Sequence, residues 1–338
     1  MKAEEFHPRL LMILLVTFSL LTINACATTN SQGLDRSADA AENQAELSGD
    51  LLYELLVGEF AGNSGDMELA IESYDRAAMI SDDPRVAARA AYIAVYSEDY
   101  DKALHSLERW EALAPEDSDL DRMYAITHLK LGEPLAAATY IQGILDTVEG
   151  NGHEKALAVK RLLAKESNVE DGLVVLDALN KADPTNQHML ILQARYAAQL
   201  EKFDDAIDVL DRVLEMDPTQ ADVHIIKSRI LAAQGKQEQS IALIAAVLME
   251  QPENDNLRLQ YARMLVEQKK FQQAKAQFNV LLENEPQNPD ILLSMGLLNI
   301  ETGDLDEAGG YLQQLVDIGQ KEDISNYYLG RIAQNQEQ

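Results

Sequence analysis

Cysteine is nearly absent: Cys26 is the one thiol in 338 residues. A single Cys cannot build a disulfide framework within the chain, nor a zinc site of the multi-cysteine kind. Positive charge is scarce as well. The chain carries 28 Lys plus Arg against 57 Asp plus Glu, a formal net charge of −29. Phosphate binding needs a basic face, so this balance argues against a nucleic-acid partner. It argues equally against electrostatic docking on an anionic membrane. The long apolar run, Leu10 to Ile23, has 14 residues, short of the ~20 that a helix needs to span a bilayer.

Catalytic and cofactor motifs are missing too. The six His (His7, His105, His128, His153, His188 and His224) include no pair at i,i+3 or i,i+4, so there is no HExxH-type metal site. There is no G-x-x-x-x-G-K-[ST] or G-x-G-x-x-G phosphate loop and no G-x-S-x-G nucleophile elbow. The many carboxylates read as solvated helix faces. A non-enzyme with no cofactor, no metal and no small-molecule substrate is expected. An envelope enzyme using dispersed carboxylates is the contrasting reading, since fold alone does not exclude it.

What is present starts at the N-terminus. LLMILLVTFSLLTI at 10–23 follows Lys2 and Arg9 and ends Ile23-Asn24-Ala25-Cys26. It has the length of a signal-peptide core. An aliphatic residue at −3, a small residue at −1 and then Cys resembles the bacterial lipoprotein signal. The resemblance implies cleavage before Cys26, diacylglycerol on its sulfur and acylation of its new amine. The alternatives are a buried Cys or an ordinary cleaved signal. Ala27 follows, not the Asp that resembles an inner-membrane retention signal, so the resemblance points to the outer membrane, periplasmic face. Residues 27–48 are small and polar, a tether spanning about 25 Å.

The dominant signal is a repeat, and fixed periods outrank local patterns. Pro184, Pro218, Pro252 and Pro286 are 34 residues apart. Pro115 stands two periods plus one residue earlier, which places an insertion in Glu149-Gly150-Asn151-Gly152. Aligned units put small residues at Ala70, Ala103, Ala137, Gly172, Ala206, Ser240, Ala274 and Ala308. Twelve residues before each stand Gly58, Ala91, Ala125, Lys160, Ala194, Ser228, Ala262 and Gly296. Closely crossing helices need small residues at the contact. Four residues after Ala70 and its equivalents come Tyr74, Leu107, Ile141, Leu176, Leu210, Ile244, Phe278 and Leu312, on the same helix face. Each unit is thus an antiparallel helix pair ended by Pro. Lys160 breaks the pattern opposite Gly172. Either Gly172 makes room for the Lys stem, or the unit is out of register by one.

This pattern resembles the tetratricopeptide repeat. The resemblance implies an all-α superhelical solenoid, about eight helix pairs, over about residues 51–322. The domain reading is signal at 1–25, acylated Cys and tether at 26–48, repeat domain at 49–322, and a capping helix with polar tail at 323–338. In the cap, Ile324, Tyr328 and Ile332 are expected to pack inward, since an uncapped solenoid exposes an apolar end.

Equivalent first-helix positions hold Arg161, Arg195, Arg229 and Arg263, with Leu157, Ile191, Ile225 and Leu259 four residues earlier. In this repeat family the first helices line the groove. An aliphatic strip beside an Arg ladder suits an extended peptide. Alternatively each Arg pairs with a carboxylate of the next unit and staples the stack. Tyr92, Tyr96 and Tyr100 share one helical face, as packing between units or as a contact hot spot.

Residues 51–117 hold LLYELLVGEFAG, AIESYDRAA, SDDPRVAARAAYIAVYSEDYDKAL and RWEALAPED. They resemble the N-terminal part of proteobacterial outer-membrane lipoproteins of the LbcA type, which are longer, with more repeats. The resemblance implies an adaptor that binds a periplasmic carboxyl-terminal processing protease and brings it substrates, notably cell-wall hydrolases, as the functionally similar NlpI lipoprotein does for another such protease. Protein partners and a lipid anchor in the outer membrane are therefore expected. A pilotin-like assembly lipoprotein for a type IV pilus secretin is the alternative.

Overall fold

The computed structural model describes residues 48–336. The signal, Cys26 and the tether expected before Ser48 lie outside the described residues. The described residues form helices alone. They come in pairs: α1 (Gly49–Ser64) with α2 (Met67–Ile80), α3 (Pro84–Tyr96) with α4 (Tyr100–Leu113), α5 (Leu120–Lys130) with α6 (Pro134–Thr147), and α7 (Gly152–Glu166) with α8 (Val169–Ala182). Then follow α9 (Gln187–Gln199) with α10 (Phe203–Met216), α11 (Ala221–Ala233) with α12 (Gln237–Glu250), α13 (Asp255–Glu267) with α14 (Phe271–Asn284), and α15 (Pro289–Thr302) with α16 (Leu305–Asp317). A last helix, α17 (Glu322–Gln336), packs on α16.

Small residues set the spacing inside each pair. Fifteen of the sixteen aligned small-residue positions are buried, Lys160 being the exception. In the sixth unit the contact is sealed by a hydrogen bond: Ser240 Oγ donates to the Ser228 carbonyl at 2.6 Å. The large residues one turn on, from Tyr74 through Phe278 to Leu312, are all at most 3% exposed. Pro184, Pro218, Pro252 and Pro286 each stand directly after the residue that caps α8, α10, α12 or α14, where a missing N–H ends the helix.

The turn inside each pair has its own rule. One residue adopts positive φ in seven of the eight units: Gly65, Glu98, Gly132, Glu201, Gly235, Lys269 and Gly303. Gly takes this conformation freely, and Glu98, Glu201 and Lys269 do so under strain.

The fourth unit departs from both rules. Ser167, at the aligned place of the positive-φ residue, has φ −128 instead, and Ser167 and Asn168 join α7 to α8. Backbones of α7 and α8 do not close on each other as in the other pairs. Instead α8 lies against α6 and α9, and α7 against α9. The inward face of α7 is Ala156, Val159 and Leu163, while Lys160 is exposed. So Gly172 does not house the Lys stem. The space beside it is taken by the Tyr196 ring of α9: a Cβ on Gly172 would stand 2.4 Å from Tyr196 Cε1. Upstream, a four-residue link through Gly150 (φ 136), as long as the links before α9, α11, α13 and α15, leads into α7, whose start is fixed by a capping box between Asn151 and Glu154.

The ends of the stack differ. On α17, Ser325 and Ile332 are buried and Tyr328 and Leu329 pack beside them. Ile324 is 40% exposed, on the outward face, contrary to the expected inward stripe. Helix α1 carries apolar residues outward as well as inward: Leu51, Gly58 and Ala61 are buried, while Leu52, Tyr53, Leu56 and Phe60 are exposed. No described helix is long and apolar enough to cross a membrane.

Candidate protein-binding surface

Arg161, Arg195, Arg229 and Arg263 sit on consecutive first helices α7, α9, α11 and α13, and all four are exposed. None of them forms an ion pair among the described residues. Arg229 donates to Gln260 Oε1 at 3.0 Å. Stapling between units is done by other cations. Lys275 holds Asp304 at 2.6 Å, Lys130 holds Glu166 at 3.2 Å, Lys321 holds Asp290 at 2.9 Å, and Arg89 holds Glu59 at 3.2 Å. The four ladder guanidiniums are thus not held by carboxylates of the described residues, and Arg is the residue whose fork suits carboxylates.

The aliphatic partners are less open than the ladder. Ile225 is buried at 5% exposure within a core cluster with Ile244 and Leu257. Ile191 and Leu259 are half-buried against the cores of their own units, and Leu157 is half-buried too. They hold the first helices in the stack rather than form an open strip.

Three pockets open beside first helices. One of about 510 Å³ between α13, α14 and α15 has Arg263, Phe271 and Leu297 in its walls. One of about 250 Å³ between α5, α6 and α7 has Arg161 at its rim, with Arg122 and Lys165. A third, about 490 Å³, lies between α1, α2 and α3. There Tyr92 and Tyr96 are 42% and 82% exposed. Tyr96 is therefore no packing residue between units, whereas Tyr92 rests near Trp110, ring centroids 5.9 Å apart. The third floor is a knot of three groups. The Tyr74 hydroxyl donates to Glu59, and Arg89 lies over the Tyr74 ring at 5.7 Å. Tyr74's hydrogen bond outweighs burial and, with Arg89, holds the Glu59 carboxyl below the usual glutamate range. Glu59 thus stays ionised.

Arg122, Lys165 and the exposed α1 face escaped the sequence argument. The spacing of Leu52, Leu56 and Phe60 on one helical face could have revealed the last. Among the described residues no group of His, Cys, Asp and Glu is gathered as a metal site.

Family models described as tetratricopeptide repeat match residues 20–148, 191–255, 231–292 and 265–330. The chain is a tetratricopeptide-repeat protein. Its curated relatives include the TPR repeat-containing protein PA4667 of Pseudomonas aeruginosa, 30% identical over 153 residues. That match takes in 45% of this tetratricopeptide-repeat chain and 26% of the relative, so it spans about a quarter of the relative's length. Solved structures with similar repeats include a tetratricopeptide-repeat protein from Parabacteroides merdae, with 15% identity and a TM-score of 0.42 over 74% of this chain and 98% of that one. Another is YrrB, described as a TPR protein with an unusual peptide-binding site, with 13% identity and a TM-score of 0.41 over 56% and 98%. The C-terminal part of a repeat protein from Cytophaga hutchinsonii gives 17% identity and a TM-score of 0.44 over 70% and 97%. The tetratricopeptide repeat is a scaffold suited to binding protein partners.

Proposed function

We propose that this chain is a lipid-anchored periplasmic adaptor, held at the outer membrane through Cys26, that binds a carboxyl-terminal processing protease and presents protein substrates such as cell-wall hydrolases. The observation that carries its binding role is the ladder Arg161, Arg195, Arg229 and Arg263. These are four exposed guanidiniums without ion pairs among the described residues, in a chain of net charge −29. A structural cation in such a chain would be expected to find one of the 57 carboxylates; these do not. The choice of partner leans on the resemblance of residues 51–117.

The test is crosslinking of the anchored protein in its own envelope, followed by identification of what is captured. The adaptor reading expects a processing protease and a cell-wall hydrolase, with the hydrolase longer-lived when the adaptor is deleted. Capture of a secretin, with secretin multimers lost on deletion and hydrolase levels unchanged, refutes it. For the anchor, Cys26→Ser is expected to release the protein from the membrane fraction. Retention there refutes lipidation as the attachment.

A further inference from the structure

The fourth unit's departure opens a cleft. In the other links between units the second helix packs directly on the next first helix, as α4 on α5 or α10 on α11. Between α6 and α7 the backbones do not close in this way; α6 lies against α8 and α7 against α9. The gap is the pocket of about 250 Å³, with Ile141, Ile144 and Leu145 of α6 on one side and Ala158, Val159 and Leu162 of α7 on another.

Its rim is positive on two opposing helices. Arg122 stands on α5, and Arg161 and Lys165 stand on α7. Arg122 and Arg161 are exposed, and neither forms an ion pair among the described residues. The one carboxylate in the lining, Glu166, is taken by Lys130 at 3.2 Å and Lys165 at 3.1 Å. A cavity of ~150 Å³ holds a benzene-sized group, so this one admits one or two large side chains and is too small for a long acyl chain. Cations on two walls call for carboxylates on both sides of the inserted group.

We infer that the α5–α6–α7 cleft is a socket for a partner polypeptide segment in which one or two large apolar side chains are flanked on both sides by Asp or Glu. The apolar side chains seat against the partly buried Ile144 and Leu162 between α6 and α7, and the flanking carboxylates meet Arg122 and Arg161. This rests on the reading of the chain as a polypeptide-binding scaffold and names the sequence chemistry taken at one place on it.

The experiment measures binding of the full chain to an acetylated, amidated decapeptide with Glu-Leu-Phe-Asp at its centre and Gly and Ser elsewhere, by calorimetry. Binding is expected to weaken about ten-fold or more with the Gln-Leu-Phe-Asn peptide, with the Glu-Ser-Ser-Asp peptide, and in the Arg122→Gln/Arg161→Gln protein. Ala158→Phe, which fills the cleft from its own wall, is expected to block it, with the helical circular dichroism unchanged. Equal binding of the neutral or the Ser-Ser peptide overturns the inference. So does a loss caused by Arg229→Gln/Arg263→Gln and not by the cleft variants, or tight binding of decanoate with none of the peptide. Partner capture from envelopes without any peptide binding overturns the cleft alone. Peptide binding at the cleft with no protein captured from envelopes supports the cleft and removes the adaptor reading.

Discussion

Replacing Gly172 by alanine tests the packing of the irregular fourth unit. Two effects oppose. Alanine is ~0.8–1.0 kcal/mol better than glycine inside a helix, and Gly172 is helical in α8. Against that, the new Cβ would stand 2.4 Å from Tyr196 Cε1 and 3.0 Å from Cδ1, well inside the ~3.5–4.0 Å at which carbons rest. Tyr196 is 9% exposed and fixed among Val175, Leu176, Met189 and Leu192, so its ring has no free space to swing into. Overpacking of this kind costs about 1–3 kcal/mol. The clash wins, and Gly172→Ala is expected to destabilise by ~1 kcal/mol. Gly310→Ala in α16 isolates the helix term, because nothing lies within 4 Å of its Cβ position. It is expected to stabilise by up to ~1 kcal/mol. The gap between the two variants is then the clash alone.

Urea titrations followed by helical circular dichroism read the gap. Amide exchange in α8 and α9 shows whether the loss is local, as expected where stability is a sum of units and their interfaces. Tyr196→Leu removes the ring, and in that background Gly172→Ala is expected to be neutral or better, a coupling of about 1 kcal/mol or more. If Gly172→Ala raises stability as much as Gly310→Ala does, α8 and α9 do not approach closely and the account of the fourth unit is wrong.

Arg195→Gln with Arg229→Gln is expected to leave the melting curve within ~0.5 kcal/mol of wild type while weakening partner capture. A stability collapse with binding merely following it would make the ladder structural. Asn151→Ala removes the side chain that accepts from His153 N at 2.8 Å. It should cost ~1 kcal/mol, with faster exchange in the first turn of α7; an unchanged first turn would show that the capping box does not fix the start of that helix. Asp83 caps α3 and holds Arg85 Nη2 at 2.6 Å. The Arg85 hydrogen bond outweighs burial and holds the Asp83 carboxyl below the usual aspartate value. A depressed folded value means stability present above the unfolded value near 3.8 and lost as pH falls through the folded one. The deficit of Asp83→Ala is therefore expected to be full at pH 7 and to shrink below pH ~3.8. A deficit that is constant with pH refutes the ionic part.

Most of the fold was legible because the repeat writes its geometry into residue size. Ala, Gly or Ser at two places and a large residue one turn later is a requirement of helix spacing, and it left the same mark in seven of eight units. The fourth unit was harder to read for a physical reason. A one-residue insertion rotates a helix by about 100°, so Lys160 fell in the aligned small position while Val159 took the inward one. The cap was ambiguous because α17 offers two apolar stripes. Ser325, a small polar residue at a buried place, decides for the stripe that leaves Ile324 outside. For the ladder, sequence places four Arg in register but does not say which carboxylates come within reach.

The ladder and the cleft have one origin in that last point. In a chain with twice as many acids as bases, a guanidinium stays unpaired where the helix faces around it offer no carboxylate at bonding distance. Lys275 and Lys321 reach across unit boundaries to Asp304 and Asp290, so the stack satisfies its cations where that is geometrically possible. Among the described residues Arg122, Arg161, Arg195 and Arg263 have neither an ion pair nor a hydrogen bond, and two of them flank the place where α6 and α7 do not pack directly. Long-range repulsion from the acidic body disfavours an acidic partner in general, and free cations offset it locally. A partner that is acidic everywhere is repelled. A partner with a few carboxylates spaced to meet these Arg residues is selected, and high salt is expected to weaken that selection while leaving the apolar part of the contact in place.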